Sequence, residues 1–232
     1  MQSESRWGFI DAKGKLAIPM QFTAAEGFSE GLAAVADRSG KWGWIDQTGH
    51  FVIPPQFDVG GPFKEGLARF GRANKSGLVD RSGKVIVDAI YLTIGDLSEG
   101  LAAASDGTNR FFLDKTGKVA ISLGVTQGSS PFHEGLAYLK KSGQAGFIDK
   151  TGKVVLKVPY DAARHFSEGL APVRVGTQES GKWGCIDREG KLVITPQFPR
   201  APVFSNGLAR ITTPEGVGYI DRSGAWVWKP SK

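Results

Sequence analysis

Short apolar runs, each closed by a polar turn that carries a glycine, recur along the chain at a period near 35 residues. The second copy is the clearest. Its runs Lys41–Ile45 and Phe51–Pro54 flank the segment Asp46, Gln47, Thr48, Gly49. Two β-branched and aromatic runs around a glycine turn predict a hairpin of strands that we call a and b. Asp suits the first place of a type I turn, where its carboxylate can accept backbone N–H groups, and Gly suits the left-handed place that follows. The same Asp recurs at Asp11, Asp46, Asp80, Asp114, Asp149, Asp187 and Asp221, and in all seven copies the spacing predicts a structural turn residue. A second phrase, Glu-Gly-Leu-Ala or a close variant, keeps step and places its glycine at Gly31, Gly66, Gly100, Gly135, Gly169 and Gly207. It opens a third strand, c, rich in small residues such as Leu32–Val35 and Leu101–Ala104.

Alternation along strand a sends Trp42 and Trp44 one way and Gly43 and Ile45 the other, so both faces of each small sheet are apolar. Neighbouring copies must cover those faces. Phe22, Phe28, Phe57, Phe63, Phe132, Phe166, Phe198 and Phe204 are placed to plug the wedges between copies. Each buried ring contributes about 1.5–3 kcal/mol. Self-similarity at a fixed period marks a tandem array. The expected architecture is all-β, made of three-stranded antiparallel meanders in the order c–a–b. They form a single array over 7–230, with units starting near 7, 42, 76, 110, 145, 182 and 217, behind a polar tail at 1–6. Narrow inner strands, wider outer strands and a link from b to the next c predict a propeller-like ring of six to seven small blades. An open β-solenoid of stacked meanders is the alternative.

The pairs Trp7-Gly8, Trp42-Gly43 and Trp183-Gly184, the downstream Ile-Asp-x-x-Gly, the Pro-x-Phe and the Phe-Ser-Glu-Gly-Leu-Ala resemble the WG-repeat (KWG-repeat) proteins, which are mainly bacterial. The resemblance runs from Trp7 to about Pro230. It implies a repetitive β-fold and an interaction role, often in exported or envelope-associated proteins, with no set reaction or ligand. The third copy has Ser76-Gly77 in the Trp-Gly place, the fourth Phe111-Phe112 and the fifth Ala145-Gly146, and the third and fourth lack Pro-x-Phe.

Catalytic chemistry finds little purchase. An active site needs unlike residues converging on one spot, whereas the seven Asp residues follow turn chemistry. His50, His133 and His165 show no zinc spacing. Cys185, the single cysteine, stands at a core position and reads as a buried structural thiol. No phosphate loop, dinucleotide fingerprint or serine elbow is present. The chain is expected to be non-enzymatic and without cofactor or metal. No apolar run reaches the length of a membrane span, and the N-terminal residues lack a signal-peptide core, which leaves the compartment open.

Charge placement gives the sharpest candidate. The a–b end carries lysines (Lys15, Lys84, Lys118, Lys153, Lys191) offset by Glu30, Glu65, Glu99, Glu134 and Glu168, an expected ion-pair lattice. The c–a end gathers Arg38, Lys41, Arg69, Arg72, Lys75, Arg110, Lys140, Lys141, Arg174, Lys182 and Arg210 against Asp37, Asp106, Glu179 and Glu215. That excess accounts for the whole formal net charge of +6. This rim is the candidate surface for a protein or an anionic glycan. Nucleic acid is the weaker partner, because the stripe lacks interleaved aromatics. Trp226 and Trp228, two apart on the last strand, form a second candidate, an aromatic platform. The function these features predict is a repeat module that binds another macromolecule through a broad surface. The alternative is a glycan or small-molecule hydrolase at a ring mouth.

Overall fold

The computed structural model describes residues 6–230, so the tail assigned to 1–6 lies outside the described residues apart from Arg6. The described residues form antiparallel strands and no helix. They divide into two compact bodies, Met1–Gly124 and Val125–Lys232.

The first body opens with a two-stranded sheet, β1 (Trp7–Ile10) and β2 (Leu16–Phe22). Three four-stranded sheets follow. The second sheet comprises β3 (Ala24–Ala25), β4 (Ala33–Ala36), β5 (Trp42–Ile45) and β6 (Phe51–Phe57). The third comprises β7 (Val59–Lys64), β8 (Leu67–Arg72), β9 (Lys75–Asp80) and β10 (Val85–Tyr91), and the fourth β11 (Thr93–Ser98), β12 (Leu101–Ser105), β13 (Arg110–Asp114) and β14 (Val119–Gly124). The second body holds a fifth sheet of β15 (Gly128–Ser129), β16 (Ala137–Lys141), β17 (Gln144–Ile148) and β18 (Val154–Val158). Its sixth sheet is β19 (Ala162–Ala163), β20 (Ala171–Val175), β21 (Lys182–Ile186) and β22 (Leu192–Phe198). Its seventh is β23 (Phe204–Ser205), β24 (Leu208–Thr213), β25 (Gly216–Asp221) and β26 (Trp226–Trp228).

Strands c, a and b are the last three of every four-stranded sheet. The expected three-stranded unit needs one correction: the b-to-c link contributes a fourth strand, which pairs with c along the sheet edge. The cause is the Glu-Gly phrase. Glu30 and Gly31 have φ of 53° and 82°, and Glu65 and Gly66 have 52° and 88°. Two successive left-handed residues make a type I′ turn, whose twist suits a tight hairpin. The link therefore folds straight back onto c.

Strand alternation then assigns the faces. Ala33, Val35 and Ile45 of the second sheet pack on Ile18 and Phe22 of the first. Ala34 and Trp44, one residue along, pack with Phe63, Ala68 and Phe70 of the third. In the second body, Tyr138 and Phe147 meet Phe166 and Val173, while Cys185 and Phe198 meet Phe204 and Ile211. All of strand c from Ala33 to Ala36 is buried. Small side chains are needed there because a sheet covers it on both faces.

In several copies strand b carries a bulge in the same place. Trp42 pairs with Phe57 and Trp44 with Ile53, so two steps on strand a oppose four on strand b. Ser76 with Tyr91 and Leu78 with Val87 repeat this register, as do Trp183 with Phe198 and Cys185 with Ile194. Tyr91 thus fills the place of the missing Pro-x-Phe aromatic in the third copy. The bulge presses the Ile53 carbonyl onto strand a. A Cβ on Gly43 would lie 2.4 Å from that oxygen and 2.8 Å from the Pro55 nitrogen. In the fourth sheet the register corrects the sequence alignment by one residue: Arg110-Phe111, rather than Phe111-Phe112, occupies the Trp-Gly place. There Phe111 pairs directly with Ser122.

Candidate binding surface

The recurrent acidic residues are held in place by their own turns. In each a–b turn the Asp Oδ1 accepts from two backbone N–H groups, two and four residues on. For Asp46 these are Thr48 at 2.8 Å and His50 at 3.1 Å, and for Asp187 they are Glu189 at 3.1 Å and Lys191 at 2.8 Å. Asp11, Asp80, Asp114, Asp149 and Asp221 do the same. A hydroxyl donor from Thr48, Ser82, Thr116, Thr151 or Ser223, together with those N–H groups, holds its Asp below the usual carboxylate range.

The glutamates of the Glu-Gly turns reach across to the next sheet. Glu30 Oε2 accepts from the Gly66 N–H at 3.0 Å, and Glu65 Oε2 from Gly100 at 2.9 Å. In the second body Glu134 accepts from Gly169 at 3.1 Å and Glu168 from Gly207 at 3.0 Å. Each of these four left-handed glutamates therefore serves the left-handed glycine one repeat on. Serine adds a parallel link: Ser29 Oγ donates to the Phe63 carbonyl and Ser167 Oγ to the Phe204 carbonyl, both at 2.6 Å. The expected lysine–glutamate lattice takes a different form. Among the described residues the cations that meet these glutamates directly follow the turn Asp. Arg81 donates to the Glu30 carbonyl at 2.8 Å, Lys115 lies 3.1 Å from Glu65 Oε2, and Arg188 donates to the Glu134 carbonyl at 3.0 Å. Burial raises the Glu65 carboxyl, but Lys115 and the Gly100 N–H outweigh it and leave it below its ordinary value.

The structure divides the basic rim. Lys41 Nζ lies 2.7 Å from Asp58 and Arg69 Nε 3.3 Å from Asp96, two carboxylates outside the four counted in the sequence. Lys140 donates to the Asp161 carbonyl at 3.0 Å, and the Arg72 guanidinium stacks 5.3 Å from the Phe57 ring centre. Arg38, Lys75 and Lys182 are exposed. Arg110 and Lys141 lie at the start of β13 and the end of β16.

Arg174 and Arg210 gather with two arginines outside the predicted set. Arg164, Arg174, Arg200 and Arg210 line a cleft of about 450 Å³ around Trp183, completed by Gln178, Pro199, Ala201 and Thr212. The Arg164 and Arg174 guanidiniums lie 5.3 and 5.6 Å from the Trp183 ring centre. Among the described residues no acidic side chain lines the cleft. Arg164 and Arg200 escaped the sequence count because they sit in b-to-c links rather than at c–a turns.

The remaining candidates disperse. Trp226 is half-buried against Phe198, and Trp228 stacks on Tyr219 with ring centres 6.0 Å apart and 57% of its surface exposed. His133 and His165, from neighbouring sheets, stack at 4.2 Å, and burial, then His133, then Arg164 lower the His165 pKa. Cys185 is buried, with its thiol pushed up to about 12. No cluster of three His, Cys, Asp or Glu residues occurs among the described residues. No helix there is long and apolar enough to cross a membrane.

A family model described as "WG containing repeat" matches residues 7–39, 42–75, 77–107, 146–177 and 183–213. The chain belongs to the WG-repeat family. The matched segments stop at 107 and resume at 146, which brackets the copy where Phe111 replaces the WG glycine. No curated protein matches the chain. Among solved structures it is similar to BamB from Moraxella catarrhalis, with 14% identity, a TM-score of 0.60 and coverage of 92% of this chain and 76% of that one. It is also similar to a eukaryotic initiation factor, with 13% identity, a TM-score of 0.66 and coverage of 97% and 71%. At such identities the likeness is one of fold. These neighbours are β-propeller proteins, and the WG repeats here are all-β and propeller-like.

Proposed function

We propose that this chain is a non-enzymatic binding module that presents its basic rim to another macromolecule, a protein or an anionic glycan. One observation carries the reading. The recurring side chains are taken up by turns and sheet-to-sheet contacts, while cations without acidic partners are left along one set of strand ends. Among the described residues Arg38, Lys75, Lys182 and Arg210 make no ion pair. Such a surface attracts anions through a summed field that salt screens over about 8–10 Å.

Retention on an immobilised sulfated glycan tests this. At low ionic strength the chain should be retained and should elute as salt rises. The Lys140→Glu, Lys141→Glu double variant should elute at clearly lower salt. A chain that passes through at low salt would remove the glycan arm. Equal elution of the variant would remove these two lysines from the surface.

A further inference from the structure

Repetition gives the Trp183 cleft an internal control. Arg174 pairs with Trp183 across strands β20 and β21, and Ala36 pairs with Trp42 in the same register of the second sheet. Arg164 lies two residues beyond Ala162, which pairs with Arg174, and Glu26 lies two beyond Ala24, which pairs with Ala36. Arg200 follows Phe198 by two residues, as Val59 follows Phe57. At the equivalent wedge, then, glutamate, alanine and valine stand where this cleft has three arginines. The fourth, Arg210, corresponds to Arg69, which is neutralised by Asp96. Among the described residues Arg210 has no such partner.

Four like charges around one cleft repel, and architecture does not require them, since the copy around Trp42 is built without them. Arg174 sharpens the point: its Nε is buried and makes no hydrogen bond. A buried cationic donor without an acceptor is costly, which favours an acceptor arriving from outside. Guanidinium forks match the paired oxygens of tetrahedral oxyanions, and Trp183 holds two of the forks by cation–π contact. A lone carboxylate would offset one charge of the four, and the volume accommodates more than one phosphate-sized group.

We infer that the cleft formed by Arg164, Arg174, Arg200 and Arg210 around Trp183 is a binding site for a ligand carrying two or more adjacent phosphoryl groups. This deepens the binding reading above, and rests on it, by naming a place and a chemistry.

The test is titration of the full chain with tripolyphosphate at low salt, followed by calorimetry and by tryptophan fluorescence. The expected result is saturable binding, stronger than for inorganic phosphate and far stronger than for acetate. Arg164→Gln and Arg200→Gln, both at exposed positions, should each weaken it about tenfold, the effect of losing one charge-assisted contact. Lys191→Gln, at an exposed a–b turn outside the rim, should leave it within twofold. Absence of binding, equal binding of acetate, or an equal loss in Lys191→Gln would overturn the assignment. Glycan retention persisting beside a silent tripolyphosphate titration would sink the cleft alone. Loss of both would sink the rim as well.

Discussion

Trp44→Ala is expected to destabilise the first body by about 3–5 kcal/mol, the range for removing a large aromatic from a packed core. Trp44 has no exposed surface and belongs to the cluster that joins the second and third sheets. Its ring lies 5.6 Å from Phe57 and 5.7 Å from Phe63, both edge-on. Its Nε1–H donates to the Gly61 carbonyl at 2.9 Å, across the wedge into the next sheet. Truncation opens a cavity and strands that carbonyl together. Stability is about 5–15 kcal/mol for a typical domain, so a loss of this size takes a large part of it. Chemical denaturation should show a much lower midpoint. Trp228→Ala, at a largely exposed ring, should stay within about 0.5 kcal/mol of the parent. Similar losses in both variants would show that Trp44 is not a wedge residue.

Gly43→Ala is expected to have the second largest effect, at least the roughly 1–3 kcal/mol of an overpacked core. The added methyl meets backbone atoms, Ile53 O at 2.4 Å and the Pro54 carbonyl carbon at 2.9 Å, which cannot rotate away as a side chain would. Relief requires straightening the strand b bulge, and that would shift Phe57 out of register with Trp42. Gly27→Ala is the matched control, because a Cβ there meets nothing within 4 Å and its φ is not in the left-handed range. Thermal unfolding should separate the two. A neutral Gly43→Ala would mean that the WG glycine answers some need other than close approach.

Local chemistry was legible in the sequence wherever cause and effect sit within a few residues. The turn aspartates are of this kind, since Asp46 and the N–H groups it caps lie inside one five-residue loop. The a–b hairpins and the small-residue strand c followed from the same short-range rules. What escaped has its cause a repeat away. Glu30 adopts a left-handed backbone beside an acceptor role for Gly66, 36 residues on, so the link strand could not be read from the link itself. Asn206-Gly207 was the one local hint, being a favoured type I′ pair in the seventh sheet. The WG glycine was recognised as a motif, but its reason, the carbonyl of a bulged neighbour, belongs to pairing rather than composition. Arg164 and Arg200 were missed because counting charge by strand ends ignores what the links bring to the same wedge.

Recurring side chains tie each sheet to the next, and the Gly66 amide reports on this most directly. It donates to Glu30 Oε2, one repeat earlier. In Glu30→Ala, native-state hydrogen exchange at the Gly66 amide should speed up about tenfold or more, as expected for losing a bond to a charged acceptor. The Gly100 amide, held by Glu65, should be unchanged. An unaltered rate at Gly66 would contradict the account.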